Sequence, residues 1–461
     1  MKAVGLKRDK QLLPPGVPSY AIQTVSANKN LSLALPDEDF PVVLITGRAG
    51  TGKSTLVREL ARTSDRRQVV LAPTGVAALN VGGQTIHSFF RLPPHIVSPE
   101  DIVPIPSRLH LFQNLERIII DEMSMVRADL LDAIDVSLRV NRRNQLPFGG
   151  VKIILIGDLL QLPPVVPREE GEMLTDRGYE TPFIVSAKAL QHLRVRFVEL
   201  PKVYRQDDEE FIQMLAYLRV GSEVEGVVTS INEKCYGPHH QPITPIILTA
   251  TNARADSYNQ RKLSSLPGPL SSYTGAFQGN FNLNEDKLPV PLRLDLKAGA
   301  RIVLVKNDSG KRWVNGSLGT VARTGQSSVW VHLDGKDEEF EIKREKWERV
   351  KYRWNQTENR IVPEVEGSYS QIPLKTAWAM TIHKAQGLTL ENVRIDMGDG
   401  AFASGQAYVA LSRVKSLKGL SLASRLTVAD VRVDPTLLDV VEAIARQATK
   451  WTDHGDSNQQ K

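Results

Sequence analysis

Gly47, Gly52, Lys53 and Ser54 occupy the four fixed places of the pattern G-x-x-x-x-G-K-[ST], inside the stretch PVVLITGRAGTGKST at 41–55. Residues of these types at this spacing suit a nucleoside triphosphate. A loop built this way turns its backbone N–H groups inward, so Ala49, Gly50, Thr51, Gly52, Lys53, Ser54 and Thr55 become the phosphate cradle, with the positive end of a helix behind them. Lys53 would reach the β- and γ-phosphates, and the Ser54 hydroxyl would ligate Mg²⁺. Further on, RIIIDEMSM at 117–125 ends a β-branched run in two carboxylates. Asp121 would hold the metal, directly or through its waters, and Glu122 would take the proton of the attacking water. Gln161 closes a third such segment, VKIILIGDLLQLPPV at 151–165, where its amide can meet the γ-phosphate or that water.

These groups need a frame that brings them to one edge. Apolar runs at 42–46, 68–72, 117–121, 151–156 and 195–199 read as buried strands with helical or loop segments between them. That pattern predicts a parallel sheet covered on both faces, with ligands at the carboxyl ends of its strands. The second half repeats the theme without a phosphate loop. Strands are expected at 243–250, 373–379, 393–396 and 420–423, a helix near His383 and another at 404–414. From about 297 to 371, short strands parted by Gly-containing or polar turns predict an antiparallel, barrel-like insert. Asp434-Pro435 opens a last helix whose apolar stripe is Leu437, Val440, Val441 and Ile444.

Composition narrows the setting. The chain has 461 residues, 41% apolar and 24% charged, enough for about three domains with cores of their own. A net charge of +6 favours a polyanionic partner, though mildly. Cys235 is the single cysteine, which excludes a structural disulfide within the chain and a Cys-based zinc cluster. No run is long enough to span a membrane, and the opening residues MKAVGLKRDK lack an apolar signal core. The expectation is an intracellular protein, cytoplasmic or nucleoid-associated if bacterial, neither secreted nor in a membrane. The lack of long flanking regions is read as a minimal, bacterial or phage-like member of its class.

Several segments match a known order. APTGVAALNVGGQTIHSFF at 72–90, IIIDEMSM, GDLLQLPPV, YRQ at 204–206, TAWAMTIHKAQGLTL at 376–390 and QAYVALSRV at 406–414 together resemble the superfamily-one helicases that move 5′→3′. LLDAIDVSLRVNRRNQLPFGG at 130–150 resembles the signature segment of the Pif helicase family, which is related to the RecD-like helicases. The resemblance runs from about residue 40 to about 425. It implies an α/β fold: two RecA-like parallel-sheet motor domains of the P-loop NTPase kind, a wedge insert and the small β-barrel-like insert. The expected divisions are 1–200 for the N-terminal segment and first motor domain, with the wedge at about 91–113. The second motor domain would be 201–296 and 372–450, the β insert 297–371 and a polar tail 451–461.

The resemblance also implies roles. Arg205 and Arg413 stand where the family places arginine fingers, which stabilise transition-state charge and sense domain closure. Gln23 is the candidate adenine-reading residue, Gly387 a further nucleotide contact, and Thr389 stands where related helicases can carry a ribose-contacting Glu. A grip on single-stranded DNA needs polar contacts to phosphates and flat faces for bases. Pro73, Thr74, Thr85, His87, Ser88 and Phe89 are the candidates in the first domain, and Trp378, Thr381, His383 and Lys384 in the second. Phe89 and Trp378 suit a core equally well, and His87 and His383 suit structural hydrogen bonds.

The implied function is an ATP- and Mg²⁺-dependent 5′→3′ DNA helicase acting on single-stranded and forked or tailed duplex DNA, as a monomer, in DNA replication or repair. An RNA or RNA/DNA-hybrid helicase, or a nucleic-acid-stimulated translocase without strong unwinding, is the alternative. A guanine-nucleotide switch usually carries N-K-x-D; the nearest string, Asn28-Lys29-Asn30-Leu31, lacks the Asp and precedes the loop. A passive strand binder would not need the paired carboxylates or the two arginines. Three features stay open between chemistry and scaffold. The Pro-rich stretch 92–112 reads as a wedge or a surface loop. The cluster Arg139, Arg142 and Arg143 reads as a phosphate contact or a solvated face. The basic and aromatic stretch 343–354, with Trp347, Tyr352 and Trp354, reads as a nucleic-acid surface or a β-domain core.

Overall fold

The structure, a computed structural model, describes residues 23–26, 40–63, 67–93, 95–237, 245–281, 285, 288–310, 312–313, 315–358 and 360–444. Its first sheet has seven strands, all parallel, in the spatial order Gln23–Ser26, Val195–Glu199, Val42–Thr46, Lys152–Gly157, Arg117–Ile120, Gln68–Ala72, Gln84–Thr85. The sheet is buried on both sides, which is why its central strands are continuous apolar runs. Alternate residues face two cores. Val42, Leu44, Ile118, Ile120, Ile153 and Leu155 point to one. Val43, Ile45, Ile119, Ile154 and Ile156 point to the other, against Val57 and Leu60 of the helix Lys53–Thr63. Five strands lie where the sequence places them, within one residue at each end. Two were not anticipated. Gln84–Thr85 has only two residues, too short to show a period, and Gln23–Ser26 is a largely polar edge strand.

The second sheet has four parallel strands, ordered Ala379–Thr381, Ile246–Thr249, Val393–Asp396 and Leu420–Leu422. The expected strand at 373–379 is two strands. Leu374–Thr376 pairs antiparallel with Arg301–Leu304 of the insert, and Ala379–Thr381 joins the second sheet. Ala377 N donates to Arg301 O at 2.8 Å, and Ile247 N to Trp378 O at 2.8 Å, so neighbouring residues serve different sheets. Periodicity carries no mark where the partner changes. The expected helix near His383 is a run of turns at 382–387, while Gln406–Leu411 is helical within the 404–414 segment.

The β-rich part holds a five-stranded antiparallel sheet and a three-stranded one around a shared core that includes Ile302, Val331, Ile342, Trp347 and Tyr369. A long hairpin, Glu345–Asn355 with Arg360–Gln371, leaves this core and lays its tip on the unit built around the first sheet. There Tyr352 joins the first core and its hydroxyl accepts the Val70 N–H at 3.2 Å, while Trp354 packs alongside. The last described helix, 435–444, also docks on the first core through Leu437, Val440 and Ile444, capped by Asp434, whose Oδ1 accepts from Thr436 N at 3.0 Å. The tail at 451–461 lies outside the described residues. Among the described residues, no helix is long and apolar enough to cross a membrane.

Candidate nucleotide cleft and nucleic-acid face

The phosphate loop follows the strand Val42–Thr46, with Gly50 and Gly52 at φ +82° and +87°. A Cβ on Gly50 would also stand 2.5 Å from the Arg205 Cβ, so both conformation and space require glycine there. Gly47 begins the turn, and Thr51 donates its hydroxyl back to Arg48 O at 3.0 Å. Ser54 and Thr55 are exposed on the first turn of the helix Lys53–Thr63. The Lys53 ammonium folds back on the loop, donating to Gly47 O at 2.7 Å and Arg48 O at 2.9 Å. Burial lowers its pKa to about 8, against the pull of Asp158 and Glu122. A cation held this way is poised for an anion that replaces two carbonyls.

The carboxylates lie at the end of the strand Arg117–Ile120. Asp121 is buried, and its Oδ1 accepts from Glu122 N at 2.9 Å. Burial first, then the Glu122 charge, raise its pKa to about 7. Two crowded carboxyls under that penalty fit a divalent cation, which would relieve both causes. Among the described residues, no group of three or more His, Cys, Asp or Glu is placed for a metal. A magnesium ion held by one or two protein oxygens and phosphates does not need one. Glu122 has φ 52°, a left-handed conformation uncommon for a non-glycine residue and frequent at functional sites. From the second sheet, Gln386 Nε2 donates to Glu122 Oε2 at 3.1 Å and to Gln161 Oε1 at 3.4 Å. Gln386 was not singled out in the sequence, although it sits inside the quoted segment 376–390; a polar residue between known motif positions is the signal it gave.

Two arginines enter from the opposite side. Arg205 Nε donates to the Thr389 hydroxyl at 3.0 Å, and Nη1 to Ser412 O at 3.0 Å. Thr389 therefore holds an arginine in the place where related helicases can carry a glutamate. Arg413 is 1% exposed and folded along its own helix, Nε to Val409 O at 2.8 Å and Nη2 to Ser412 Oγ at 2.8 Å. Burial, joined by Arg205, lowers the Arg413 pKa to about 9, and burial lowers that of Arg205 to about 10. Among the described residues, neither guanidinium is ion-paired with a carboxylate. YRQ straps the two sides together: Tyr204 N donates to Gly50 O at 2.9 Å, and Gln206 Nε2 to Ser412 O and Val414 O at 3.1 and 3.0 Å. The Gln206 amide is another partner that sequence reading passed over. Gly387 lies in an exposed turn at φ +82°. The Gln23 side chain lies outside the described residues.

The nucleic-acid candidates divide. Thr85, His87 and Ser88 line an open cleft of about 460 Å³ with Arg91, Arg108, Arg349 and Lys351. Arg349 and Lys351 come from the hairpin of the β insert, and Arg349 Nη2 donates to Ser88 Oγ at 3.2 Å. The stretch 343–354 thus splits by residue type: its aromatics Trp347 and Tyr352 are core, and two of its basic residues face the cleft. Thr74 caps the helix Gly75–Asn80 by accepting from Ala77 N, with Pro73 just before it. Phe89 is corrected. It has no exposed surface and packs edge-on to Phe90, Phe112 and Tyr352, so no base can reach it. Phe89→Ala is expected to lower stability by ~3–5 kcal/mol, read by thermal unfolding. Strand affinity of the folded fraction should be unchanged. In the second unit, Trp378 packs against the insert core. Thr381 is buried and its hydroxyl accepts from Lys384 N at 3.3 Å. His383 lies parallel to the exposed Phe402 ring at 6.0 Å, and Lys384 is exposed.

Likenesses to known proteins bear on this arrangement. The family model for PIF1-like helicases matches residues 33–226. The ATP-dependent DNA helicase Pif1 of Bdellovibrio bacteriovorus is 31% identical over 82% of this chain and 83% of its own. The chain belongs to the PIF1-like helicase family. The human ATP-dependent DNA helicase PIF1 is 35% identical over 88% of this chain, which spans 61% of that longer protein. Among solved structures, Bacteroides sp Pif1 in complex with ADP-AlF4 is 34% identical, with TM-score 0.83 over 90% of this chain and 96% of that one. Bacteroides Pif1 bound to ssDNA is 33% identical, with TM-score 0.64 over 95% and 98%. These likenesses carry the two RecA-like units expected of a PIF1-like helicase.

The segment at 130–150, read above as resembling the family's signature, is chiefly a spine. Its helix, Ala128–Arg142, presents Asp129, Asp132 and Asp135 at three-residue spacing, all buried. Asp129 pairs with Arg127 at 2.8 Å. Asp132 accepts from Tyr179 Oη, Lys188 N and Ala189 N, and Asp135 from Phe148 N at 2.6 Å. Asn141 accepts from Ile105 N at 2.7 Å, tying down the Pro-rich stretch. Arg142, offered as a phosphate contact or solvated group, is neither. Its guanidinium caps the chain at Phe112, Gln113, Leu115 and Gly149 through their carbonyls.

Proposed function

We propose that this chain is an ATP-driven 5′→3′ DNA helicase that hydrolyses ATP between its two motor units. The observation that carries the proposal is the convergence of Lys53, Glu122 and Gln161 from the first unit with Gln386 and Arg413 from the second and Arg205 from the segment that joins them, with neither guanidinium ion-paired to a carboxylate among the described residues. A triphosphate supplies the charge that this cleft lacks. In this reading Lys53 leaves the carbonyls of Gly47 and Arg48 for the β- and γ-phosphates. Glu122, held by Gln386, takes the proton of the attacking water, and Gln161 orients that water. Magnesium, held by Ser54 and Asp121, would offset phosphate charge when bound. Arg205 and Arg413 turn toward the γ-phosphate as the units close, stabilising charge in the transition state.

Relatives that are ATP-dependent DNA helicases and solved Pif1 structures with ssDNA and forked dsDNA support DNA as the track. Thr85, His87, Ser88, Arg349 and Lys351 on one unit, with His383 and Lys384 on the other, would hold a single strand by its backbone. Forked duplexes with only a 5′ or only a 3′ single-stranded tail test the proposal. With ATP and Mg²⁺, strand separation is expected on 5′-tailed forks alone. Separation confined to 3′ tails, or of RNA duplexes in preference to DNA, would overturn it.

A further inference from the structure

Asp158, Arg219 and Tyr408 form a buried polar cluster between the motor units that the roles above do not use. Asp158 follows the strand Lys152–Gly157 of the first sheet. Arg219 belongs to the helix Glu209–Val220 and Tyr408 to the helix Gln406–Leu411, both packed into the second core. Arg219 holds Asp158 with two nitrogens, Nη2 at 2.8 Å and Nε at 3.1 Å. Asp158 is 1%, Tyr408 3% and Arg219 9% exposed. Burial pushes the Asp158 carboxyl up, but Arg219 outweighs it and holds the group below its usual range. Burial and Asp158 push the Tyr408 phenol upward, so it keeps its proton.

Those charges fix the hydroxyl. An ionised carboxylate only accepts, so Tyr408 Oη donates to Asp158 Oδ2, at 3.4 Å. Its lone pair then receives the Ala49 N–H of the phosphate loop, at 2.9 Å. Tyr408 O in turn accepts from Ser412 N at 2.9 Å, one turn before Arg413. A continuous link runs from the crown of the loop to the backbone that carries the arginine.

We propose that Tyr408 is a positioning residue for ATP hydrolysis: its hydroxyl, aimed by Asp158 and Arg219, sets the phosphate loop against the Arg413 segment. The inference rests on the motor reading above. Separating a dry, two-point ion pair is costly, so the cluster is the fixed point about which the units close. Removing the hydroxyl frees the crown of the loop, and a misplacement of about 1 Å costs on the order of 10² in rate.

Tyr408→Phe is therefore expected to lower kcat for ATP, at saturating single-stranded DNA, by about ten- to a hundredfold. KM for ATP and the affinity for a fluorescent ADP should change by less than about threefold, since the loop's phosphate contacts remain. A merely structural role would lower the unfolding temperature and leave kcat of the folded protein alone. Arg219→Lys, which keeps the charge but not the two-point grip, should show the same loss of kcat. Unaltered kcat in either folded variant, or kcat and KM moving in step, would overturn the proposal. An inactive wild-type chain would instead count against the motor reading, because this proposal concerns a change relative to active protein.

Discussion

Lys53→Ala is expected to reduce DNA-stimulated ATP turnover by ~10² to 10³ or more while leaving affinity for single-stranded DNA within about threefold. The loss follows from position. Lys53 is the cation inside the phosphate loop, and its present partners are two backbone carbonyls that water can serve once the side chain is gone. The fold should tolerate the change, because burial already works against the charged ammonium, lowering its pKa to about 8. DNA affinity should persist because Thr85, His87, Ser88 and Arg349 meet in a separate cleft. The wild type should also lose ATP affinity as pH rises above about 8, since the deprotonated amine no longer attracts phosphate, and the variant should lack that slope. Steady-state ATP hydrolysis, nucleotide titration across pH and fluorescence anisotropy with a labelled oligonucleotide check the three parts. Turnover above a tenth of the wild type would remove Lys53 from the chemistry.

What the sequence showed and hid has a physical pattern. The first sheet was legible because strands buried on both faces must be apolar throughout, and Val42–Thr46, Gln68–Ala72 and Val195–Glu199 stand out against polar loops. The loop at 47–54 was legible because its glycines and lysine are fixed by the phosphate they would bind. Other features depend on what a residue touches across the chain. Nothing local says that Ala377 and Trp378 serve two sheets, or that Tyr352 leaves the β insert to enter the first core. Phe89 suited a core as well as a base platform, the second because it shares a motif with His87 and Ser88. On the short helix Ile86–Phe90, however, it points inward. Arg142 read as a phosphate contact or a solvated group because charge at a helix end is normally solvated, yet the carbonyls it caps lie up to 30 residues away. Gln206, Gln386 and Tyr408 were missed for a related reason: each acts by bridging units, and a bridge has no periodicity of its own.

The same distinction sharpens the second large effect. Arg413→Ala is expected to lower ATP turnover by ~10³ or more with ATP affinity changed by no more than a few fold. Among the described residues, the Arg413 guanidinium bonds its own segment, through Val409 O and Ser412 Oγ, and burial and Arg205 press on its charge. Its guanidinium therefore adds little to ground-state binding. Its value would come when the units close and the developing charge on the γ-phosphate draws it over, an interaction made only in the transition state. That predicts loss in kcat without loss in nucleotide affinity, the reverse of a residue that simply binds ATP. Arg413→Lys should recover little, because a compact ammonium on a different stem cannot reproduce the planar fork. Weakened binding of a transition-state mimic such as ADP with aluminium fluoride, beside unchanged binding of ADP alone, would mark the role directly. Equal affinity of wild type and Arg413→Ala for that mimic would show that Arg413 only braces its helix, and would leave Arg205 as the single finger.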